Sequence, residues 1–165
     1  FNTADLDKMT DSGKMGMVLL MVIGGSPGST AGGMKTTTAA VLFAMAISVF
    51  RKNEQAHLYN RRIAEETQRN AATIFVLYMM LFTGSAMFIS YLEKVPLVTA
   101  FFETGSAIGT VGLSLGLTPT LCLASRLVLI CLMFFGRVGG LTLIFATVSG
   151  KRTEYKYPQE KINVG

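Results

Sequence analysis

Five consecutive residues, the TVGLS turn at positions 110–114, are the part of this chain best suited to bind an ion. The apolar stretch before them, residues 95–109, would form a helix of about 22 Å, whereas the hydrocarbon core of a bilayer is about 30 Å thick. Irregular backbone at membrane depth leaves carbonyl oxygens without partners unless protein, water or a dehydrated cation surrounds them. We therefore predict a re-entrant pore helix that ends in an ion filter.

The predicted filter would bind a dehydrated cation through the backbone carbonyls of five residues, which are Thr110, Val111, Gly112, Leu113 and Ser114. The prediction depends most on Gly112, because glycine permits a positive φ angle and leaves the backbone open to an ion. An ordinary glycine-bearing turn between two helices is the alternative interpretation.

Glu103 lies inside the predicted pore helix, where a carboxylate without partners would be costly. We predict that it supports the filter from behind by accepting hydrogen bonds from backbone or hydroxyl groups. The spacing of Glu103 to Gly109 and Thr110 predicts that those donors lie near these two residues. Direct contact with the ion is the alternative.

The composition places these residues in a membrane protein, since 50% of the 165 residues are apolar and 15% are charged. Residues 71–92 and 125–149 are each long enough to cross a bilayer, and the sequence GRVGG interrupts the second. Two shorter apolar runs, 15–23 and 39–50, are interpreted as one broken crossing. The predicted fold class is an all-α membrane protein of helix, re-entrant pore-loop, helix repeats, as in potassium channels, with broken transmembrane helices.

The charge pattern predicts the orientation of these crossings. Basic residues concentrate in the loop at 51–70 and in the tail after residue 150, which places both in the cytoplasm of a multi-pass protein of the cell (inner) membrane. The net charge of +5 does not indicate nucleic acid, because no aromatic residues alternate with the basic ones. We expect that the chain is not an enzyme and binds no cofactor. The missing initiator Met suggests that the chain starts inside a longer protein.

The chain also resembles itself when it is shifted so that Leu20 falls on Leu132. This shift, here called the repeat displacement, also aligns Met21 with Met133, and it aligns Gly24 with Gly136 at the break of both apolar stretches. We interpret this as a duplication. The first residues of the chain would then be the tail of a second filter, namely Phe1, Asn2 and Thr3. A closed pore would need about four such filter segments around one axis.

Two other classes of protein are alternatives to an ion pore. The sequence GSTAGGMKTT at 28–37 is similar to a phosphate-binding loop, but Met34 is one residue too many, and such a loop follows a buried strand. A membrane scaffold that conducts nothing is the second alternative, and cation flux would distinguish it from a transporter.

Four segments together resemble the membrane (pore) subunit of the Trk/Ktr/HKT potassium transporter superfamily, and most closely its bacterial Ktr type. They read GGSPGSTAGGMKTTT, SAIGTVGLS, GRVGGLT and YPQEKINVG. The resemblance implies four pore repeats: residues 1–50 end the third, 51–70 form a cytoplasmic linker, 71–150 form the fourth, and 151–165 form a cytoplasmic tail.

The same resemblance implies function and partners. It implies potassium uptake, with Na⁺ as a possible coupling ion, by a homodimer that carries the missing N-terminal repeats. A cytosolic nucleotide-binding ring would regulate it. A sodium or non-selective cation transporter of the same fold is the alternative.

The resemblance further implies a gate under the filter. The gate would be a flexible intramembrane segment, here called the glycine-rich loop, which spans residues 24–35 and includes Gly24, Gly25, Ser26, Pro27, Gly28, Ser29, Thr30, Ala31, Gly32, Gly33 and Lys35. Arg137 would face the pore, raise an electrostatic barrier and donate hydrogen bonds to carbonyls of this loop. A tight helix kink is the alternative for the loop, and an ion pair with a carboxylate of an absent repeat is the alternative for Arg137.

Overall fold

The computed structural model describes residues 6–52, 56–58 and 61–139 and is mostly helical. Its five α-helices are α1 (Asp11–Ile23), α2 (Thr36–Phe50), α3 (Glu65–Glu93), α4 (Leu97–Ile108) and α5 (Leu123–Val138). Two short 3-10 helices precede α1 and α5, at Leu6–Lys8 and Thr118–Thr120. The prediction of a mainly α-helical protein is confirmed. Phe1, Asn2, Thr3 and the residues from 140 onward, which include the end of the predicted crossing at 125–149 and the tail, lie outside the described residues.

One small element is not predicted by the sequence. Strands β1 (His57–Leu58) and β2 (Arg61–Arg62) pair antiparallel, with His57 opposite Arg62 and Leu58 opposite Arg61. The charge and polarity of this segment indicate only a plain linker. A ladder of two residues per strand is too short to leave an alternating apolar pattern in the sequence.

Within the described residues, α3 alone is long and apolar enough to cross a membrane. Its 29 residues span about 43 Å, and it contains the predicted crossing at 71–92. It begins earlier than predicted, at Glu65, because acidic residues at a helix N-terminus are favourable and EETQRN consists mainly of good helix formers. It ends before Lys94, which is left-handed with φ 54°, and Pro96 prevents its continuation.

The short helix α4 lies at the centre of the fold. Its 12 residues span about 18 Å, so the prediction of a helix too short to cross a bilayer agrees with its length. It packs against α1, α3 and α5, and residues 102–109 are all buried. The rings of Phe82 and Phe101 contact each other across the α3–α4 interface, with centroids 5.0 Å apart and their planes tilted by 31°.

The outer faces of the longer helices are apolar. Leu20 in α1, Met80 in α3 and Leu123 in α5 are 70%, 69% and 75% exposed. Exposed large apolar side chains on several helices are unfavourable in water and are expected where a helix faces lipid. The burial pattern therefore resembles that of a membrane protein, with a small polar interior around the end of α4.

The repeat displacement also relates the elements of the structure. It places the 3-10 helix that begins at Leu6 on the one that begins at Thr118, and it places Asp11 at the start of α1 on Leu123 at the start of α5. The two copies end differently, because α1 stops at Ile23 whereas α5 continues through Gly136 to Val138.

Candidate ion site

The TVGLS turn follows α4 directly and belongs to no regular element. Thr110 and Gly112 have positive φ angles of 52° and 83°. The amide of Thr110 donates to the carbonyl of Ala107 at 3.1 Å, and the amide of Val111 donates to that of Ser106 at 2.9 Å. An added Cβ at Gly112 would meet nothing within 4 Å. Glycine is therefore required here by the backbone angle and not by lack of space.

Glu103 is a buried carboxylate, 4% exposed, whose two oxygens are hydrogen-bonded to the end of the TVGLS turn and the chain beyond it. Oε1 accepts from the hydroxyl of Ser114 at 2.5 Å and from the amide of Leu115 at 3.0 Å. Oε2 accepts from the hydroxyl of Thr118 at 2.9 Å. These partners satisfy a charge that would otherwise be costly to bury.

The donors to Glu103 come from farther along the chain than its spacing to Gly109 and Thr110 indicated. Sequence reasoning missed Thr118 in particular, since it lies 15 residues away in a separate 3-10 helix. A local pattern carries no signal for such a contact. The network braces the segment that leaves the turn against the helix that enters it.

A cavity of about 350 Å³ lies behind the turn, between α4 and α5. Its wall is formed partly by polar groups of the network just described and partly by apolar side chains of α5. The lining residues that matter here are Glu103, Ser106, Gly112, Ser114, Thr118 and Met133. Hydrogen bonds therefore support the turn on one side, whereas another side of the turn borders the open cavity.

The glycine-rich loop closes on the other end of this site, at the C-terminus of α4. The amide of Gly33 donates to the carbonyl of Ile108 at 3.0 Å, and the amide of Gly32 donates to Oγ1 of Thr110 at 2.8 Å. The amide of Met34 donates to the carbonyl of Val22 in α1 at 3.1 Å. The two segments predicted to carry function are thus in direct contact.

Glycines make this contact possible by leaving no side chain between the backbones. A Cβ at Gly32 would lie 2.7 Å from Cγ2 of Thr110 and 2.9 Å from the carbonyl oxygen of Ile108. A Cβ at Gly136 would overlap that same carbonyl from the side of α5. The backbone of the loop and the backbone of α5 therefore both pack directly against the last turn of α4.

Two cationic side chains hold three consecutive carbonyls of the loop. Lys35 Nζ donates to the carbonyl of Ser29 at 3.4 Å and to that of Ala31, and Arg137 Nη1 donates to that of Thr30. Lys35 itself has a φ of 80° at the N-cap of α2. The contact between Arg137 and the loop that the resemblance led us to expect is present at Thr30, while the effect of this contact on ions stays a prediction.

Side-chain ligands for a metal ion do not gather anywhere in the described part of the chain, where no three His, Cys, Asp or Glu residues come together. The second predicted filter segment, at residues 1–3, lies outside the described residues.

Comparison with known proteins supplies the class and the family. The family that matches residues 1–155 is TrkH, described as cation transport protein. The chain is 39% identical over 172 residues to the potassium/sodium uptake protein NtpJ of Enterococcus hirae, in a match that covers 100% of this chain and 38% of that protein. The relatives are transport proteins, which fits the expectation that this chain is no enzyme.

Two further relatives are the Ktr system potassium uptake proteins B of Bacillus subtilis and Vibrio alginolyticus. Each is 32% identical over 165 residues in a match that covers 100% of this chain, with 37% and 36% of the respective relative. The chain belongs to the TrkH family of cation transport proteins, and the resemblance to the Trk/Ktr superfamily is confirmed. It spans a little more than a third of the length of these relatives.

Proposed function

We propose that the protein carrying this chain takes up potassium ions across the cell membrane, and that the TVGLS turn forms one quarter of its filter. The observation that carries the proposal is a buried helix too short to cross a bilayer, which ends in an irregular turn with a positive φ at Gly112. Backbone carbonyls of such a turn can replace the hydration shell of a cation. The names of the relatives, which include potassium uptake, support the same ion.

The pore would be completed by further repeats of the same protein. Residues 71–150 would form one helix, pore-loop, helix unit, and residues 1–50 would end the unit before it, with Phe1, Asn2 and Thr3 as the tail of its filter. The repeat displacement, which relates the two 3-10 helices and also relates α1 to α5, supports this arrangement. Two more units upstream would bring the number of filter segments to about four.

The glycine-rich loop would be the gate of this pore. It lies directly against the start of the TVGLS turn, at Thr110, so an ion leaving the filter would meet it. Lys35 and Arg137 hold its carbonyls and would add positive charge to the path of a cation. In this proposal a cytosolic nucleotide-binding ring controls the opening of the gate. The transporter would be a homodimer, and Na⁺ would be its coupling ion.

A sodium or mixed cation transporter is the second candidate, and the name of the Enterococcus hirae relative, potassium/sodium uptake protein, favours it. Both candidates use the same turn and the same carbonyls. They differ in ion preference, which all the filter segments set together.

The filter assignment is tested by Gly112→Ser in a protein that carries this chain together with the upstream residues its relatives have. A serine at φ 83° is strained and would turn the neighbouring carbonyls, so we expect the preference for potassium over sodium to fall by about tenfold. Ion flux into reconstituted vesicles measures this ratio. Gly16→Ala is the matched control, because Gly16 is exposed and has open space around it. An unchanged ratio in Gly112→Ser would contradict the assignment.

The gate assignment is tested by deleting residues 25–33. The ends of the deletion are close, since a Cβ at Gly24 would touch Gly32 and the amide of Thr36 donates to the carbonyl of Gly25 at 3.1 Å. We expect basal flux without any cytosolic partner to rise at least severalfold. A folded deletion variant with unchanged or lower flux would argue against a gate.

A further inference from the structure

Thr110 has two features that a carbonyl filter does not require. Its φ of 52° is left-handed, which is a rare and strained conformation for a β-branched residue. Its hydroxyl accepts the amide of Gly32 at 2.8 Å, across 78 residues of sequence. A strained residue persists only where its surroundings hold it in place. Here the carbonyl of Ala107 accepts the amide of Thr110, and the glycine-rich loop donates to its hydroxyl.

The loop holds Thr110 from two sides. Gly32 donates to its hydroxyl, and the next amide, that of Gly33, donates to the carbonyl of Ile108 just before Thr110. Gly32 also has no room for a side chain, because its Cβ would lie 2.7 Å and 2.8 Å from Cγ2 and Oγ1 of Thr110. The loop and the first residue of the turn therefore fit each other in one arrangement.

We propose that Thr110 is a positioning residue that couples the TVGLS turn to the glycine-rich loop, so that ion preference depends on whether the loop is in place. The inference rests on the proposed function of both segments. When the loop withdraws, the hydroxyl of Thr110 loses the amide of Gly32 and the carbonyl of Ile108 loses the amide of Gly33, so fewer contacts hold the left-handed backbone of Thr110. The turn then relaxes, and the carbonyls after Thr110 change direction. Because coupling free energies are reciprocal, a change at Thr110 also loosens the loop.

A double-mutant cycle tests the coupling in the protein completed by its upstream residues. Thr110→Val keeps the branched shape and removes the acceptor, so we expect the potassium over sodium flux ratio to change about two- to tenfold, the range of one hydrogen bond. Thr110→Ser keeps the hydroxyl and should restore most of the ratio. In the variant that lacks residues 25–33 the partner is absent, and Thr110→Val should then have little further effect.

The cycle separates this proposal from a direct role of the hydroxyl on the ion. If Thr110→Val changed the ratio by the same factor with and without the loop, the hydroxyl would act on the ion itself and the coupling would be overturned. Gly112→Ser is measured alongside. Failure of the coupling alone leaves the Gly112→Ser effect intact, whereas failure of the proposed filter removes that effect too and overturns both.

A second measurement follows the coupling in the opposite direction. Ser29 is exposed in the loop, so Ser29→Cys can be labelled with a thiol reagent once the exposed cysteines are replaced through Cys122→Ser and Cys131→Ser. We expect Thr110→Val to raise the labelling rate about two- to tenfold and Thr110→Ser to leave it near the starting value. A labelling rate that Thr110→Val does not change would overturn the proposal.

Discussion

The two copies related by the repeat displacement, α1 and α5, differ most at the glycine that they share. Gly24 ends α1 with a φ of 74°. Gly136 instead lies inside α5, where the absence of a side chain lets the carbonyl of Ile108 pack directly against the helix backbone. The same residue type at the equivalent position therefore serves a helix end in one copy and a backbone contact in the other. A glycine permits both, and its neighbours decide which occurs.

The residues after each glycine explain the difference. In the first copy Gly25 and Ser26 lead to Pro27, which lacks an amide proton and disfavours helical backbone at the residue before it. In the second copy Arg137 and Val138 continue the helix, which ends only before Gly139 with a φ of 85°. The first copy is thereby free to form a loop across the end of α4.

The two copies also act on each other, because Arg137 of the helical copy donates to Thr30 in the loop of the broken one. The continuous helix thus holds the loop against the TVGLS turn. Three experiments that follow from this comparison change, in turn, the packing of the helical copy, its contact with the loop, and the loop itself.

The largest effect is expected for Gly136→Ala in α5. Its Cβ would overlap the backbone of Ile108, which cannot move without displacing the turn, so we expect a loss of about 3 kcal/mol in unfolding free energy. Thermal unfolding in detergent measures it as a lower Tm. The control is Gly16→Ala in α1, where nothing lies within 4 Å and alanine should stabilise the helix by about 0.5–1 kcal/mol. Equal shifts in both variants would mean that the close approach at Gly136 is not required.

An intermediate effect is expected for Arg137→Met, which keeps an apolar side chain of similar length and removes the donor to Thr30. A hydrogen bond from a charged group contributes about 1.5 kcal/mol, so basal flux should rise about tenfold. Arg126→Met on the same helix is the control, since Arg126 donates to the carbonyl of Pro119 at the other end of α5. A similar rise in both variants would indicate a general loss of charge instead of a released loop.

The smallest effect is expected between two substitutions at one residue, Lys35→Met and Lys35→Gly. Both remove the ammonium that holds Ser29 and Ala31, but glycine also relieves the strain of a φ of 80°. Relief of about 1 kcal/mol should keep the loop in place more often, so basal flux should be a few-fold lower in Lys35→Gly than in Lys35→Met. Equal flux in the two variants would show that backbone strain does not contribute to the position of the loop.

Some of the site is predictable from local sequence. The short apolar lead-in and Gly112 indicate a helix that ends in an irregular turn, because helix length and glycine backbone angles are local properties. The break at Gly24 and the repeat that aligns it with Gly136 are visible for the same reason. The start of α3 at Glu65 is missed, since a search for crossings counts apolar residues and ignores helix formers among the polar ones.

Local sequence sets most of what is helical, apolar or irregular in this chain, since these properties depend on residues a few positions apart; the start of α3 and the continuation of α5 through Gly136 are the exceptions. Which irregular segments meet depends on the packing of the helices. The contacts of Thr110 with Gly32 and of Arg137 with Thr30 join residues 78 and 107 positions apart. Such contacts depend on how α4 packs among α1, α3 and α5, and no local pattern of residues records that packing.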